Sequence, residues 1–310
     1  MDWERDFAEA CQSADSGRPD PTLIAQCAAD VTPEPVEWLW PGRIAIGKQT
    51  LVAGEPGLGK SQISIAMAAA VTTGGLWPCG EGRAPLGNVI ILQAEDGVAD
   101  TVVPRLMAAG ADRKRVQLIT AVLGPDGRRT FNLQADLELL EKEIARVGNV
   151  RLAIVDPISS YLGPKVDSHV NAAVRGVLEP VSEMAARLRL AIVSNTHFTK
   201  GAGIKAINRF IGSIAFVAAA RAAFVVTKDT EDESRCLFLP VKNNLAQPDD
   251  GLDIPEPLRR HPGRRCDHCG SELGIMNPWD CPGRPDGIWL HPRCEEAWHG
   301  AESPSARRGS

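Results

Sequence analysis

Residues 51–61 read Leu51-Val-Ala-Gly-Glu-Pro-Gly-Leu-Gly-Lys-Ser61, a glycine-rich turn between a strand-like and a helix-like segment. The apolar run Thr50 to Ala53 predicts a buried strand before the turn, and the alanine-rich run Gln62 to Val71 predicts a helix after it. The turn has the form Gly-x4-Gly-Lys-Ser, in which glycine lets backbone N–H groups face a phosphate without a Cβ in the way. Strand, turn and helix in this order predict a phosphate-binding loop.

The side chains of this loop have predicted roles. We expect the ammonium of Lys60 to bind the β- and γ-phosphates of ATP and the hydroxyl of Ser61 to ligate Mg²⁺. The helix N-terminus adds its partial positive charge. The other expected nucleotide-binding positions are Gly54, Glu55, Pro56, Gly57, Leu58, Gly59 and Gln62.

The chain has 310 residues, enough for one large α/β domain and a smaller unit. Hydrophobic residues make up 44% and charged residues 24%, which predicts a packed core. The net charge of −5 argues against a generally basic nucleic-acid-binding protein, so a contact with DNA must come from a local patch. Because no apolar run is long enough for a membrane span and the first residues are acidic, we expect a cytoplasmic protein without a membrane partner.

Five segments follow from the composition along the chain. Apolar strands alternate with helices through the central segment, which predicts an α/β fold of the P-loop NTPase kind, a mostly parallel sheet with helices on both faces. The segments are a helical lead (1–35), the P-loop domain (36–246), a proline-rich linker (247–263), a small metal-binding module (264–300) and a disordered tail (301–310).

Three predicted strands end in reactive side chains. Glu95-Asp96 follows the strand Val89 to Gln93, Asp156 ends the strand that begins at Leu152, and His197 ends the strand that begins at Leu190. Ligands of open parallel sheets bind at the carboxyl ends of the strands, so we expect these groups to converge near the phosphate loop.

Each of these groups has a predicted role and an alternative. Asp156 is expected to hold Mg²⁺, Glu95 to orient or deprotonate the attacking water, and His197 to sense the γ-phosphate. The alternatives are a helix-capping aspartate, a solvated acidic turn and a structural histidine, respectively. Trp38 and Trp40 are expected to pack in the core, with base stacking as the alternative.

The ordered motifs of residues 36–245 carry a family resemblance. Gly-Glu-Pro-Gly-Leu-Gly-Lys-Ser, Ile-Leu-Gln-Ala-Glu-Asp-Gly, Ala-Ile-Val-Asp-Pro and Ser-Asn-Thr-His-Phe-Thr-Lys resemble, in this order, the RepA-like branch of RecA-type hexameric ATPases. That branch includes plasmid and phage replicative helicases. The resemblance implies a RecA-like fold, Glu95 as the residue that activates water, and His197 as a coupling residue before a lysine-containing loop. We expect contacts with DNA in that loop, Thr199 to Arg209, through Lys200, Lys205 and Arg209. The family often has two consecutive histidines where this chain has Thr196-His197, which leaves the coupling detail open.

The resemblance also implies residues that act on a neighbouring subunit. Family members carry an arginine finger eight residues after a Gly-Ser motif, and here Gly212-Ser213 is followed at that interval by Arg221. Lys242 resembles a second cation contributed in trans, and Arg209 is the runner-up for the finger. The resemblance implies that further copies of the chain form a ring, a hexamer as is usual in the family. The other implied partners are single-stranded DNA and a primase or replication initiator.

The cysteines near the C-terminus predict a zinc site. Cys266-x2-Cys269 and His291-x2-Cys294 form two knuckles whose thiolates and imidazole suit a tetrahedral structural Zn²⁺, with Cys281 as the reserve ligand. In a reducing cytosol the eight cysteines are expected to be thiols or metal ligands rather than disulfides.

The sequence therefore predicts an ATP-hydrolysing ring that moves on or remodels DNA, with helicase activity for a plasmid, phage or integrated element. Two alternatives remain. One is an ATP-driven switch that regulates protein partners, and the other is a DNA-binding adaptor that uses nucleotide only to assemble.

Overall fold

The computed structural model describes residues 23, 25–163, 166, 170–197, 214–232 and 235–245, together with the three short strands Leu252–Ile254, Asn277–Trp279 and Ile288–Leu290. The chain divides into two units, Met1–Pro35 and Val36–Ser310. In the first unit Ala28–Asp30 forms a single 3₁₀ turn, and most of the predicted helical lead lies outside the described residues.

Fourteen strands lie within the described residues. They are β1 Trp38–Trp40, β2 Ile44–Ala45, β3 Gln49–Gly54, β4 Asn88–Gln93, β5 Val116–Ile119, β6 Val122–Gly124, β7 Gly127–Arg129, β8 Val150–Asp156, β9 Ala191–His197, β10 Ala222–Lys228, β11 Cys236–Asn243, β12 Leu252–Ile254, β13 Asn277–Trp279 and β14 Ile288–Leu290.

The helices of the second unit lie between these strands. They are α1 Lys60–Thr73, α2 Val103–Ala108, α3 Leu137–Val147, α4 Asn171–Leu188 and α5 Ile214–Ala219. A π-helical turn, Val98–Val102, leads into α2, and Pro104 falls in the first turn of that helix. No helix of the described residues is long and apolar enough to cross a membrane.

Eight strands form the central sheet, in the order β12-β11-β10-β3-β9-β8-β4-β5. In the sheet order from β10 to β5, each strand is parallel to its neighbours. At the other side of the sheet, β11 pairs antiparallel with β10, and β12 pairs antiparallel with β11. The predicted mostly parallel α/β sheet is therefore confirmed. The carboxyl ends of β3, β4, β8 and β9 lie at one edge, which places the residues that follow them close together.

Helices cover both faces of the sheet. On one face α3, α4 and α5 pack against strand residues such as Leu51, Ile90 and Val155. On the other face α1 and α2 pack against Val52 and Ile91. The alternation of Leu51 and Val52 between faces follows from the two-residue period of a strand.

Aromatic residues extend the second face. Trp40 is buried and stacks on Trp77 with ring centroids 4.8 Å apart, and Trp77 Nε1 donates to the Leu39 carbonyl. Trp40 therefore packs in the core, as predicted, and is not exposed for base stacking.

The last residue of β3 requires a glycine for packing reasons. A Cβ at Gly54 would lie 2.5 Å from the carbonyl oxygen of Val226 on β10, too close for any real contact. The same glycine begins the phosphate loop, so the fixed first position of the motif also lets two strands approach each other.

The strand β5 is shorter than its apolar run. Val116 to Val122 is apolar enough for one strand, but β5 ends at Ile119 and Val122 begins the separate β6–β7 hairpin. Gly124 and Gly127 pair at the tip of that hairpin.

Candidate nucleotide-binding site

The loop between β3 and α1 has the geometry that its glycines predict. Gly57 and Gly59 have φ values of 82° and 92°, in the left-handed region that favours glycine. A Cβ at either position would meet nothing within 4 Å, so the backbone there is open to an approaching ligand. Gly59 caps α1, and the first N–H groups of that helix therefore face the loop.

Lys60 is held inside this loop. Its Nζ donates to the carbonyl oxygens of Gly54 at 2.9 Å and Glu55 at 2.8 Å, and the residue is 6% exposed. Burial lowers the pKa of Lys60, while the nearby charges of Asp156, Glu95 and Glu55 oppose that shift. A buried ammonium at the start of a helix, among acidic groups, is suited to binding phosphate oxygens.

Asp156 is buried at the end of β8, next to α1. Its carboxyl group accepts hydrogen bonds from Ser61 and Asn195, and Asn195 also exchanges hydrogen bonds with Ser64 on α1. Burial raises the pKa of Asp156, as do the charges of Asp96 and Glu95, whereas the two hydrogen bonds lower it. The aspartate therefore faces the phosphate loop rather than capping the residues that follow it.

The residues after β4 contribute two carboxylates with different surroundings. Glu95 is exposed, with its Oε2 3.5 Å from Nε2 of His197 at the end of β9. Asp96 forms an ion pair with Arg105 of α2 at 2.5 Å. Because Arg105 already binds Asp96, Glu95 is the carboxylate of the pair that remains open to a water molecule.

His197 presents its two ring nitrogens differently. Nε2 faces Glu95, while Nδ1 is buried without a hydrogen-bond partner among the described residues. An unsatisfied buried nitrogen is costly, so a histidine in this position is suited to gaining a partner when the site changes. The predicted convergence of Glu95, Asp156 and His197 on the phosphate loop is therefore what the fold produces.

The donor set fits Mg²⁺ and a nucleotide. Ser61 and Asp156 offer a hydroxyl and a carboxylate, oxygen ligands of the kind that Mg²⁺ accepts while keeping waters and phosphate oxygens. Bound there, the metal would neutralise phosphate charge during transfer. Ser61, Asp156, Asp96 and Arg105 line one pocket beside the loop, which groups the metal-binding side chains with the acidic turn.

Arg221 and Lys242, the two residues expected to act in trans, lie at the end of the sheet where the parallel strands begin, opposite the phosphate loop. Arg221 is exposed just before β10, and its N–H bonds the Gln49 carbonyl at the start of β3. Gly54, where the phosphate loop begins, lies five positions after Gln49 along β3, a distance of roughly 16 Å. Arg221 is thus remote from the phosphate loop of its own chain.

Lys242 lies beside Arg221 and has its own partners. Its Nζ donates to the carbonyl oxygens of Val217, Ala218 and Ala220, at 3.0, 3.2 and 2.7 Å, at the end of α5. Burial lowers the pKa of Lys242, and the charges of Arg221 and Arg175 lower it further. In this arrangement Lys242 fixes the backbone directly before Arg221, and its contact with a neighbouring nucleotide stays a prediction.

Three residues of the site escape prediction from the sequence. Arg105 orients Asp96, while Asn195 and Ser64 connect Asp156 to α1. A signal exists for Asn195, because Ser194-Asn195-Thr196 is a polar run in an otherwise apolar parallel strand, and buried polar groups need partners. Arg105 carries no such signal, since an arginine on a short helix is ordinarily solvated.

Several predicted residues lie outside the described residues. They are the zinc ligands Cys266, Cys269, His291 and Cys294 with the reserve Cys281, the Gly212-Ser213 motif and the loop cations Lys200, Lys205 and Arg209. In the part of the chain that the structure describes, no group of three or more His, Cys, Asp and Glu side chains could hold a metal ion. The zinc module therefore stays a prediction.

The fold and this site define a P-loop ATPase of the AAA and RecA kind, with the phosphate-loop motif at residues 54–61. The chain belongs to the AAA domain family, whose model matches residues 14–203 and thus the phosphate loop, Glu95, Asp156 and His197. No curated protein matches the chain.

Proposed function

We propose that the protein is a ring-forming, RepA-like ATPase that hydrolyses ATP to move on single-stranded DNA, as a helicase in the replication of a plasmid, phage or integrated element. The ring would bind a primase or an initiator. The ATPase half of this proposal rests on the family and on the site. The DNA half rests on the ordered motifs and on one contact described next.

The contact between Glu95 and His197 carries the proposal. Glu95 is the open carboxylate beside the phosphate loop, and the chain continues from His197 directly into the segment that holds Lys200, Lys205 and Arg209. A change at the γ-phosphate that moves Glu95 therefore acts on the residue at the root of this basic segment. An ATPase that couples hydrolysis to movement on DNA needs such a connection between its nucleotide site and its DNA-binding segment.

The rate of ATP hydrolysis with and without single-stranded DNA tests this function. For a translocating ring we expect DNA to raise the rate, together with a mass in solution of several chains. Turnover that DNA leaves unchanged, from an oligomer, would instead support an ATP-driven switch. Nucleotide binding without turnover would support the adaptor.

The ring itself is supported by the positions of Arg221 and the phosphate loop. The arginine is exposed at the amino edge of the sheet and the acidic nucleotide site is at the carboxyl edge, so the two cannot meet within one chain. Head-to-tail contact between copies brings such edges together and closes into a ring when the rotation permits. An arginine supplied in this way stabilises charge on the transferred phosphoryl group.

Mixing two inactive variants tests whether Arg221 acts in trans. Arg221→Ala should bind ATP with unchanged affinity, because its own phosphate loop is intact, but should hydrolyse it about 10³-fold or more slowly. Mixed with Lys60→Ala protein, which keeps its arginine, it should recover activity above the sum of the two samples, measured as phosphate release beside the oligomer mass. Full activity from monomeric Arg221→Ala protein would show that neither the finger nor the ring is needed.

A further inference from the structure

A basic cleft lies where β4 and the outer strand β5 begin, at the opposite end of these strands from the candidate nucleotide site. It has a volume of about 230 Å³ and is lined by Asn88, Lys114, Arg115, Val116, Gln117, Arg146 and Val147. Asn88 begins β4, whereas Gln93, at the end of the same strand, lines the nucleotide pocket. The length of β4 separates the two sites by about 16 Å.

The cations of this cleft come from separate parts of the chain. Lys114 and Arg115 belong to the 3₁₀ turn before β5, and Arg146 comes from the last turn of α3. A basic run on its own is ordinarily a solvated surface. Here the fold adds a third cation from a distant helix and the amide of Asn88, and the described lining residues include no carboxylate.

Neighbouring groups orient two of these cations without closing the cleft. Arg146 pairs with Glu143 at 2.6 Å on the same helix, and Arg115 lies 3.5 Å from Asp112 and 3.5 Å from Oδ1 of Asn88. The exposed Lys114 ammonium has no hydrogen-bond or ion-pair partner among the described residues. The exposed Arg113 of the same turn brings the number of cations to four, against the two carboxylates of Asp112 and Glu143. This set of side chains is therefore positive in a chain of net charge −5.

The volume of the cleft limits the size of the group that it can hold. Pockets that enclose a whole small molecule have volumes of about 300–1,000 Å³, so 230 Å³ is small for a complete nucleotide. A concave surface focuses the field of its charges, and guanidinium and ammonium groups bind phosphate oxygens. An open cleft of this size is therefore suited to a phosphate group of a strand that continues beyond it.

We propose that the cleft of Lys114, Arg115 and Arg146 binds the phosphodiester backbone of single-stranded nucleic acid, as a second contact distinct from the segment after His197. This inference rests on the part of the proposed function that acts on DNA. It names a site on the outer strand of the parallel sheet, where β5 pairs with β4 and with no other strand of the described residues. The contact reads no base sequence, since phosphates carry none.

Salt dependence of oligonucleotide binding tests the cleft. Each phosphate contact with a single strand contributes about −0.7 to the slope of log K against log salt concentration. For the full chain and a fluorescein-labelled single-stranded oligonucleotide, measured by anisotropy, Lys114→Ala should reduce the slope by about 0.7 and Lys114→Ala/Arg146→Ala by about 1.4. Hydrolysis of ATP without DNA should not change, because the nucleotide site is at the other end of β4.

Lys142→Ala is the matched control. Lys142 is an exposed lysine of α3 that does not line the cleft, so this variant removes one positive charge from the same helix. We expect its slope to stay that of the original protein. Equal effects of Lys142→Ala and Lys114→Ala would overturn the site and leave only net charge. If the unaltered protein binds no oligonucleotide, the DNA half of the proposed function fails; if it binds and the cleft variants bind equally well, the cleft inference alone fails.

Discussion

Lys60→Ala is expected to lose nucleotide binding, with an affinity for ATP at least about a hundredfold lower than that of the unaltered protein. A charged hydrogen bond contributes about 1.5–3 kcal/mol, and Lys60 Nζ, which donates to the carbonyls of Gly54 and Glu55, keeps one N–H for a phosphate oxygen beside the attraction of its charge. Titration calorimetry with a non-hydrolysable ATP analogue and Mg²⁺ measures this loss. Unchanged affinity would remove the nucleotide site as we describe it.

The control for this variant separates charge from packing. Lys60 is buried, and its Nζ holds the carbonyls of Gly54 and Glu55, so a change there also affects the loop. Lys60→Met keeps an apolar stem of similar length and removes the ammonium. We expect Lys60→Met to melt close to the unaltered protein and yet bind no ATP. Binding retained by Lys60→Met and lost in Lys60→Ala would assign the effect to packing.

Glu95→Gln is expected to bind ATP normally and to hydrolyse it about 10²–10⁴-fold more slowly. The amide keeps the shape of the side chain but cannot accept a proton from water. Since Glu95 is exposed and 3.5 Å from His197, its replacement leaves the buried Asp156 and the phosphate loop in place. Single-turnover hydrolysis beside ATP binding distinguishes the chemical step from affinity.

The neighbouring acid provides an isosteric comparison. Asp96→Asn removes the same charge one residue further on, but Asp96 is bound to Arg105 rather than open to water. We expect Asp96→Asn to slow hydrolysis much less than Glu95→Gln. The reverse order would reassign the water-activating role within the pair.

The parallel sheet could be predicted because its signals are local. Apolar runs such as 89–92 and 152–155 are buried on both faces of the sheet, a pattern typical of parallel strands that are covered by helices. The positions of Glu95, Asp156 and His197 followed from one topological rule, that the carboxyl ends of parallel strands share an edge. These predictions needed no knowledge of side-chain packing.

The interactions around the acids could not be predicted in the same way. Whether Glu95 or Asp96 stays open to water depends on which of them Arg105 binds, and the π-helical turn Val98–Val102 leads into the helix that carries Arg105. The cleft of Lys114 and Arg146 joins residues 32 positions apart through the packing of α3. The end of β5 at Ile119 likewise depends on the hairpin that follows, since Val116 to Val122 is apolar enough to continue a strand.

The hydrogen bonds of β9 have a thermodynamic consequence. Asn195 bonds the carboxylate of Asp156, the proposed Mg²⁺ ligand, and two residues later His197 contacts Glu95, the proposed activator of water, so one strand contacts both groups. If a ligand of the proposed DNA-binding segment after His197 shifts β9, we expect the affinity for nucleotide to change. By reciprocity, nucleotide changes the affinity for that ligand by the same factor, which for typical coupling energies of about 1–3 kcal/mol is about 5–150-fold. The strand thus provides the contacts through which the two binding equilibria would be linked.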